Sequence, residues 1–331
     1  MQHELYPLLF QPVLKDYIWG GRNLAEKVKR PLPEDQTIAE SWEIAAHPDG
    51  DTEVINGRYA GKTLSALTLD LGLDLIGTNN SWALERGKFP LLIKLLDAND
   101  KLSVQVHPDD TYALAHEGNE LGKTEMWVVL FAEPNAKIIL GVKPGTTPET
   151  FRRAIEKGTL EQHLHEIPVS AGDAICVPAG SLHAILSGLV IAEIQQNSNT
   201  TYRVYDWDRK KNGMARPLHI QQAMEVINFQ QIAPTLPTPK IIETKANLHR
   251  EILCQNRYFV TERVQMGENA TFSGECNGRT LEIWGVLDGE VIVNGMQATA
   301  VQFTLLPAKL GAYTIQANKP ATLLRTYVAD Q

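Results

Sequence analysis

The chain carries the same short succession of elements twice. "EMWVVLFAEPNAKIILG" (125–141) resembles "EIWGVLDGEVIVNG" (282–295), and "CVPAGSLHAI" (176–185) resembles "LLPAKLGAYTI" (305–315). Each copy reads strand, turn, strand, then an apolar–Pro–Ala turn. A repeated unit of short strands with glycine turns points to two related β-barrels or sandwiches. The strand-rich stretches are contiguous and do not alternate regularly with helices, so a doubly wound α/β fold fits poorly. A length of 331 residues suits roughly two domains. The segment "APTLPTPK" (233–240), with three prolines in eight residues, reads as the linker. The expected division is 1–240 and 241–331.

Within the first part, "FPLLIKLLDA" (89–98) and "KLSVQVHPD" (101–109) read as a hairpin turning at "ND". Helical spacing covers 61–87, broken at "GTNN", and returns after Asp109 and Asp110. "TTPETFRRAIEKGTLEQHLHEI" (146–167) reads as helix from its threonine–proline–glutamate start. A last helical pattern lies near 218–228.

The formal net charge of −8 argues against a nucleic-acid backbone or an anionic membrane surface as partner. A small anionic substrate remains compatible, because a pocket can oppose the global charge. Cys176, Cys254 and Cys276 are odd in number and far apart, so neither a disulfide framework nor a thiolate zinc site is expected. The N-terminal stretch "MQHELYPLLFQP" lacks a basic region followed by a long apolar core, and no apolar run approaches ~20 residues. A cytoplasmic location is the expectation.

Four residues of the first copy are candidate metal ligands: Gln105, His107, Glu125 and His183. Side chains on a strand repeat every two residues, so Gln105 and His107 share a face. Glu125 opens the next strand and His183 follows a later turn. Two imidazoles, a carboxylate and an amide oxygen suit a borderline divalent ion with room for water or substrate. The second copy keeps Glu282 opposite Glu125, but where His183 lies five residues beyond Pro178, Ala312 lies five beyond Pro307. The chemistry is therefore placed in the first copy and packing in the second. Taken alone, each histidine is more often a hydrogen-bonded core residue, and Glu125 can simply pair with Lys123. His47 is read as a turn residue. His163 and His165, two apart on the expected helix, are read as surface residues.

The spacing of Gly172, Pro178, Gly180 and His183 in "GDAICVPAGSLHAI" resembles the second cupin motif, with Ser187 where an asparagine is usual. The first motif departs from the common His-x-His, because here it is Gln105-x-His107. With "LSVQVHPDD", "GKTEMW", "PAGSLHAI" and "NSNTTYRVYDW", spanning 102–207, the chain resembles the type I mannose-6-phosphate isomerases in a short form. "YIWGG", "ESWEI" and the degenerate second copy extend the likeness. The resemblance implies a mainly β fold of two cupin (jelly-roll) barrels with a few helices, the second barrel lacking a metal site. It implies one Zn2+ per chain on Gln105, His107, Glu125 and His183. It implies interconversion of mannose 6-phosphate and fructose 6-phosphate through an enediol, with catalytic roles for Arg203, Lys123 and Glu193 and substrate contacts at Ser103, Lys123 and Arg203. Longer relatives carry a histidine just before the matching lysine. Here it is Gly122, so no role passes from that position.

Proton transfer between C2 and C1 needs a base, an oxyanion stabiliser and a hold on the phosphate. Arg203 offers a planar fork for phosphate or enediolate, or a salt bridge to Asp206 or Asp208. Glu193, in the apolar "LVIAEIQQ", needs a partner, and Arg203 is one choice. Two other functions fit the same scaffold: a metal cupin of different activity, such as an oxygenase, and a non-catalytic sugar-binding cupin.

Overall fold

The computed structural model describes residues 5–211 and 213–329. The first four residues of the N-terminal stretch lie outside it. The chain is mainly β, built from open antiparallel sheets with short helices around them. One sheet has six strands, in the order Ala174–Val177, Glu125–Ala132, Leu189–Gln196, Leu91–Ala98, Glu40–Ile44 and Val13–Lys15. A second has five: Leu164–Pro168, Lys137–Val142, His183–Ile185, Val104–Val106 and Tyr202–Tyr205. The strands from residue 240 onward form an eight-stranded and a four-stranded sheet. The eight-stranded sheet also takes in Leu8–Gln11, which pairs with Gln302–Leu306, and Glu53–Val54.

The two-residue period assigns each side chain to a core. Along Glu125–Ala132, Trp127 and Val129 pack toward Ile138, Leu140 and Ile185 of the five-stranded sheet. Met126 and Val128 point the other way, into a core shared with Phe259, Ile283 and Leu305 of the C-terminal part. Val104 and Val106 pack with Ile139, Phe151, Ala184 and Ala223, under the helices Pro148–Lys157 and Ile220–Val226. That packing turns Ser103, Gln105 and His107 to the opposite face.

Three expectations are corrected. The runs 89–98 and 101–109 are not a hairpin, because Leu91–Ala98 lies inside the six-stranded sheet and Val104–Val106 inside the five-stranded one. The short link between them carries the chain from one layer to the other. The helix expected over 146–167 is Pro148–Lys157, capped by Thr147 and stopped by Gly158 at φ 67°. His163 therefore falls in a 3-10 turn, with Nδ1 3.1 Å from Thr146 Oγ1, and His165 on a strand, with Nε2 3.1 Å from the Pro234 carbonyl. Finally, Cys176 and Cys254 form a disulfide across 78 residues. Packing of the two halves brings them together, which spacing along the chain does not reveal. No helix among the described residues is long and apolar enough to cross a membrane.

Candidate active site

Gln105 stands directly opposite His183 in the antiparallel pairing of Val104–Val106 with His183–Ile185. His107 follows on the same face, and Glu125 projects from the start of its strand. The ligand atoms of His107, Glu125 and His183 all lie within 4.8 Å of one another, and all three residues are buried. No other such His/Cys/Asp/Glu group occurs among the described residues.

Hydrogen bonds orient both imidazoles. The Thr200 carbonyl, 2.9 Å from His107 Nδ1, can only accept, so Nδ1 carries the proton and Nε2 presents its lone pair. The Ser181 carbonyl, 2.9 Å from His183 Nδ1, sets the same tautomer there. Burial, then the Lys123 charge, pushes the His107 pKa down to about 3, and burial lowers that of His183. Glu125 Oε1 is 3.4 Å from His183 Nε2, and Oε2 is 3.4 Å from His107 Nε2. Both carboxylate oxygens are fully buried; Oε2 is 2.8 Å from the Lys123 ammonium, and Oε1 has no hydrogen-bond partner. Burial opposes its ionisation, but the Lys123 charge prevails and holds it well below the usual carboxylate range. Two neutral imidazole lone pairs facing an ionised carboxylate, one oxygen of which has no donor, fit a divalent cation. Gln105 is beside them with Nε2 3.4 Å from His183 Nε2, while its Oε1 accepts from Ser103 Oγ at 3.2 Å. To ligate through oxygen, this amide must turn over.

Lys123 is buried. Its Nζ lies 3.0 Å from His107 Nε2, 2.8 Å from Glu125 Oε2 and 4.0 Å from Glu193 Oε1. Burial works against the ammonium, but Glu125 and Glu193 outweigh it and raise its pKa. Glu193 Oε2 accepts from Trp127 Nε1 at 3.0 Å, and burial, then the Glu125 charge, pushes its pKa up to about 7. Its cationic neighbours are Lys123 and Lys94, not Arg203. Arg203 donates from Nε to Ser103 Oγ at 3.2 Å and from Nη1 to the Pro217 carbonyl at 2.9 Å. It pairs with no carboxylate among the described residues, because Asp206 is taken by Arg209 and Arg216. Lys123, Glu193, Arg203, Ser103 and Gln105 line one cavity of ≈ 270 Å³.

The same cavity holds a residue that sequence reasoning missed. Lys94 is buried in Leu91–Ala98, with Nζ 3.6 Å from Glu40, 3.7 Å from Glu193 and 4.8 Å from the centre of the Trp42 ring. Its signal was a single lysine inside the apolar run "PLLIKLLDA". Tyr17 and Trp19 of "YIWGG" line the cavity as well. His47 lies apart from it, bonded to Glu120 at 3.3 Å. In the second copy, Arg325 donates two bonds of 2.7 Å to Glu282, and Trp284 Nε1 and the Tyr313 hydroxyl complete that carboxylate. A guanidinium there neutralises the counterpart of Glu125 from within the chain.

A polar cavity lined by buried charged side chains, on open β-sheets, defines a mainly β enzyme acting on a small polar molecule. Residues 8–131 match the family described as phosphomannose isomerase type I, catalytic domain. A probable mannose-6-phosphate isomerase of Bacillus subtilis, GmuF, is 40% identical over 95% of this chain and 97% of its own. A mannose-6-phosphate isomerase of Streptococcus mutans is 42% identical over 78% of this chain and 79% of its own. The crystal structure of a mannose 6-phosphate isomerase from Bacillus subtilis superposes with a TM-score of 0.86 at 32% identity, covering 97% of this chain and 99% of that one. The chain belongs to the type I mannose-6-phosphate isomerase family and is a sugar isomerase.

Proposed function

We propose that the chain interconverts mannose 6-phosphate and fructose 6-phosphate through an enediol, with one divalent metal, zinc, held by Gln105, His107, Glu125 and His183. The observation that carries this is the buried Glu125 carboxylate between two imidazole lone pairs, next to Gln105 and Lys123 of a cavity that also presents Lys94, Glu193 and Arg203. When bound, the metal supplies positive charge beside the sugar oxygens. The residues of the chain do the rest. Ser103 and Arg203 bind and orient, with Arg203 Nη2 free to meet phosphate or an oxyanion. Glu193 and Lys123, buried side by side, exchange the proton between C2 and C1: a carboxyl held near 7 sits in the range where a general base operates at neutral pH.

On this reading residues 1–240 form a catalytic cupin domain and 241–331 a degenerate cupin domain in which Arg325 occupies the place of a cation. A phosphorylated sugar is charged and does not cross a bilayer unaided, which supports a cytoplasmic location. The deciding experiment is a coupled assay with mannose 6-phosphate on protein of measured metal content. Turnover that falls on chelation and returns with zinc supports the reading; turnover intact in metal-free protein rejects it.

A further inference from the structure

Lys123 is held in the cavity by a carboxylate that lies outside it. Asp110 Oδ1 accepts from the backbone N–H of Gly122 at 2.8 Å and from Gln196 Nε2 at 2.9 Å. Gln196 Oε1 accepts from the backbone N–H of Thr124 at 2.9 Å. The backbone N–H groups of the residues before and after Lys123 are thus tied to the Asp110–Gln196 pair, and the N–H of Lys123 itself donates to the Pro108 carbonyl at 2.9 Å. Gly122 is what allows the approach: a Cβ there would lie 2.5 Å from Asp109 C and Asp110 N. The glycine that departs from the longer relatives is required by this contact.

The other oxygen of Asp110 reaches across to the C-terminal part. Oδ2 accepts from the Tyr258 hydroxyl at 2.5 Å and from Arg257 Nη2 at 2.7 Å. Arg257 is largely exposed, whereas Tyr258 is buried, with its ring edge-on to Trp82. Both come from the turn between Leu248–Gln255 and Val260–Met266, which Asn256 braces by accepting from the N–H of Tyr258 and Phe259. At the entrance to that turn Cys254 is bridged to Cys176, whose neighbour Val177 pairs with Glu125. A part of the chain that carries no residue of this cavity therefore grips the segment that carries Lys123.

We propose that Tyr258 is a positioning residue for Lys123, acting through Asp110 and Gln196, so that the C-terminal part sets where the ammonium sits in the cavity. This rests on the function proposed above, in which Lys123 meets the substrate. A buried hydroxyl on a carboxylate that in turn holds two anchors of one short segment transmits position better than a flexible contact does.

Tyr258→Phe keeps the ring against Trp82 and removes only the O–H. Turnover of mannose 6-phosphate falls about tenfold in kcat, with KM and metal content within about twofold of the parent. In a Lys123→Met background the same substitution leaves the residual rate within about twofold, because its route of action is gone. By hydrogen exchange, the amides of Gly122 and Thr124 lose about tenfold of their protection in Tyr258→Phe, and the strand Leu91–Ala98 does not change. An unchanged kcat with unchanged exchange at 122–124 overturns the proposal, as does an equal loss of rate with and without Lys123. Failure of the parent protein to turn over mannose 6-phosphate rejects the function instead, and the exchange measurement still decides whether the clamp exists.

Discussion

Lys123 Nζ is 2.8 Å from Glu125 Oε2 and 4.0 Å from Glu193 Oε1, so the ammonium shares its carboxylate with two imidazole lone pairs. A divalent ion on that carboxylate competes with the lysine charge for it. Lys123→Met is therefore expected to bind zinc more tightly, by about tenfold, while losing turnover. Chelator competition measures the affinity. Weaker binding in the variant would show that Lys123 supports the site instead of opposing it.

His183→Ala removes one of two imidazoles and leaves Glu125 with a single partner of that kind. Metal content and turnover are expected to fall together, each by about a hundredfold or more. Elemental analysis of the purified variant alongside the assay checks this. Full metal with no activity would move His183 from binding to chemistry.

Arg203 carries no carboxylate partner and is held by a hydroxyl and a carbonyl. Arg203→Ala is expected to keep its metal and lose about a hundredfold or more in kcat/KM. Arg203→Lys, without the fork, should recover only part of this. Steady-state kinetics on metal-matched samples gives the answer, and a variant that loses metal instead has been assigned the wrong role.

Lys94 sits between Glu40 and Glu193. Lys94→Met leaves two buried carboxylates without their shared cation, at a cost of about 3–5 kcal/mol. Thermal denaturation should show a clear fall in Tm, and turnover should fall with it. A Tm equal to the parent's would mean that the two carboxylates do not depend on Lys94 for their charge.

Glu120 accepts from Lys88 Nζ at 2.8 Å and faces His47 Nε2 at 3.3 Å. Burial alone would raise its pKa, but these bonds win and bring it down to about 2. A carboxylate depressed in the folded state stabilises it above the unfolded value near 4.5, and that contribution is lost as pH falls toward 2. Between pH 5 and pH 2.5 the urea midpoint of the parent should therefore fall more steeply than that of Glu120→Gln. Parallel curves would mean that the ion pair adds nothing.

The candidate site was legible wherever its logic is local. Gln105 and His107 fall on one face because a strand alternates. The mainly β character followed from strand spacing and glycine turns. Lys94 was visible as one lysine in an apolar run, but only the layer stacked on it shows that the run is buried on both faces. The supposed hairpin failed for a related reason: a turn signal says that a strand ends, not which sheet receives the next one. The helix ends at Gly158, whose left-handed backbone is a stop signal that the sequence itself carries. The Cys176–Cys254 pair and the Tyr258–Asp110 bond join segments far apart in the chain, and no local pattern marks them.

Leu8 pairs with Leu305, so one of the earliest strands of the chain completes a sheet whose other members come almost entirely after residue 240. A growing chain cannot form that edge until Gln302–Leu306 has been made. Until then one edge of Leu8–Gln11, the one away from Glu53–Val54, presents unpaired backbone to whatever lies nearby. Assembly of the eight-stranded sheet is expected to be a late and slow event, dominated by long loop closure. A truncation that spares every residue of the cavity but removes Gln302–Leu306 would leave this first strand paired only with Glu53–Val54 and its other edge open.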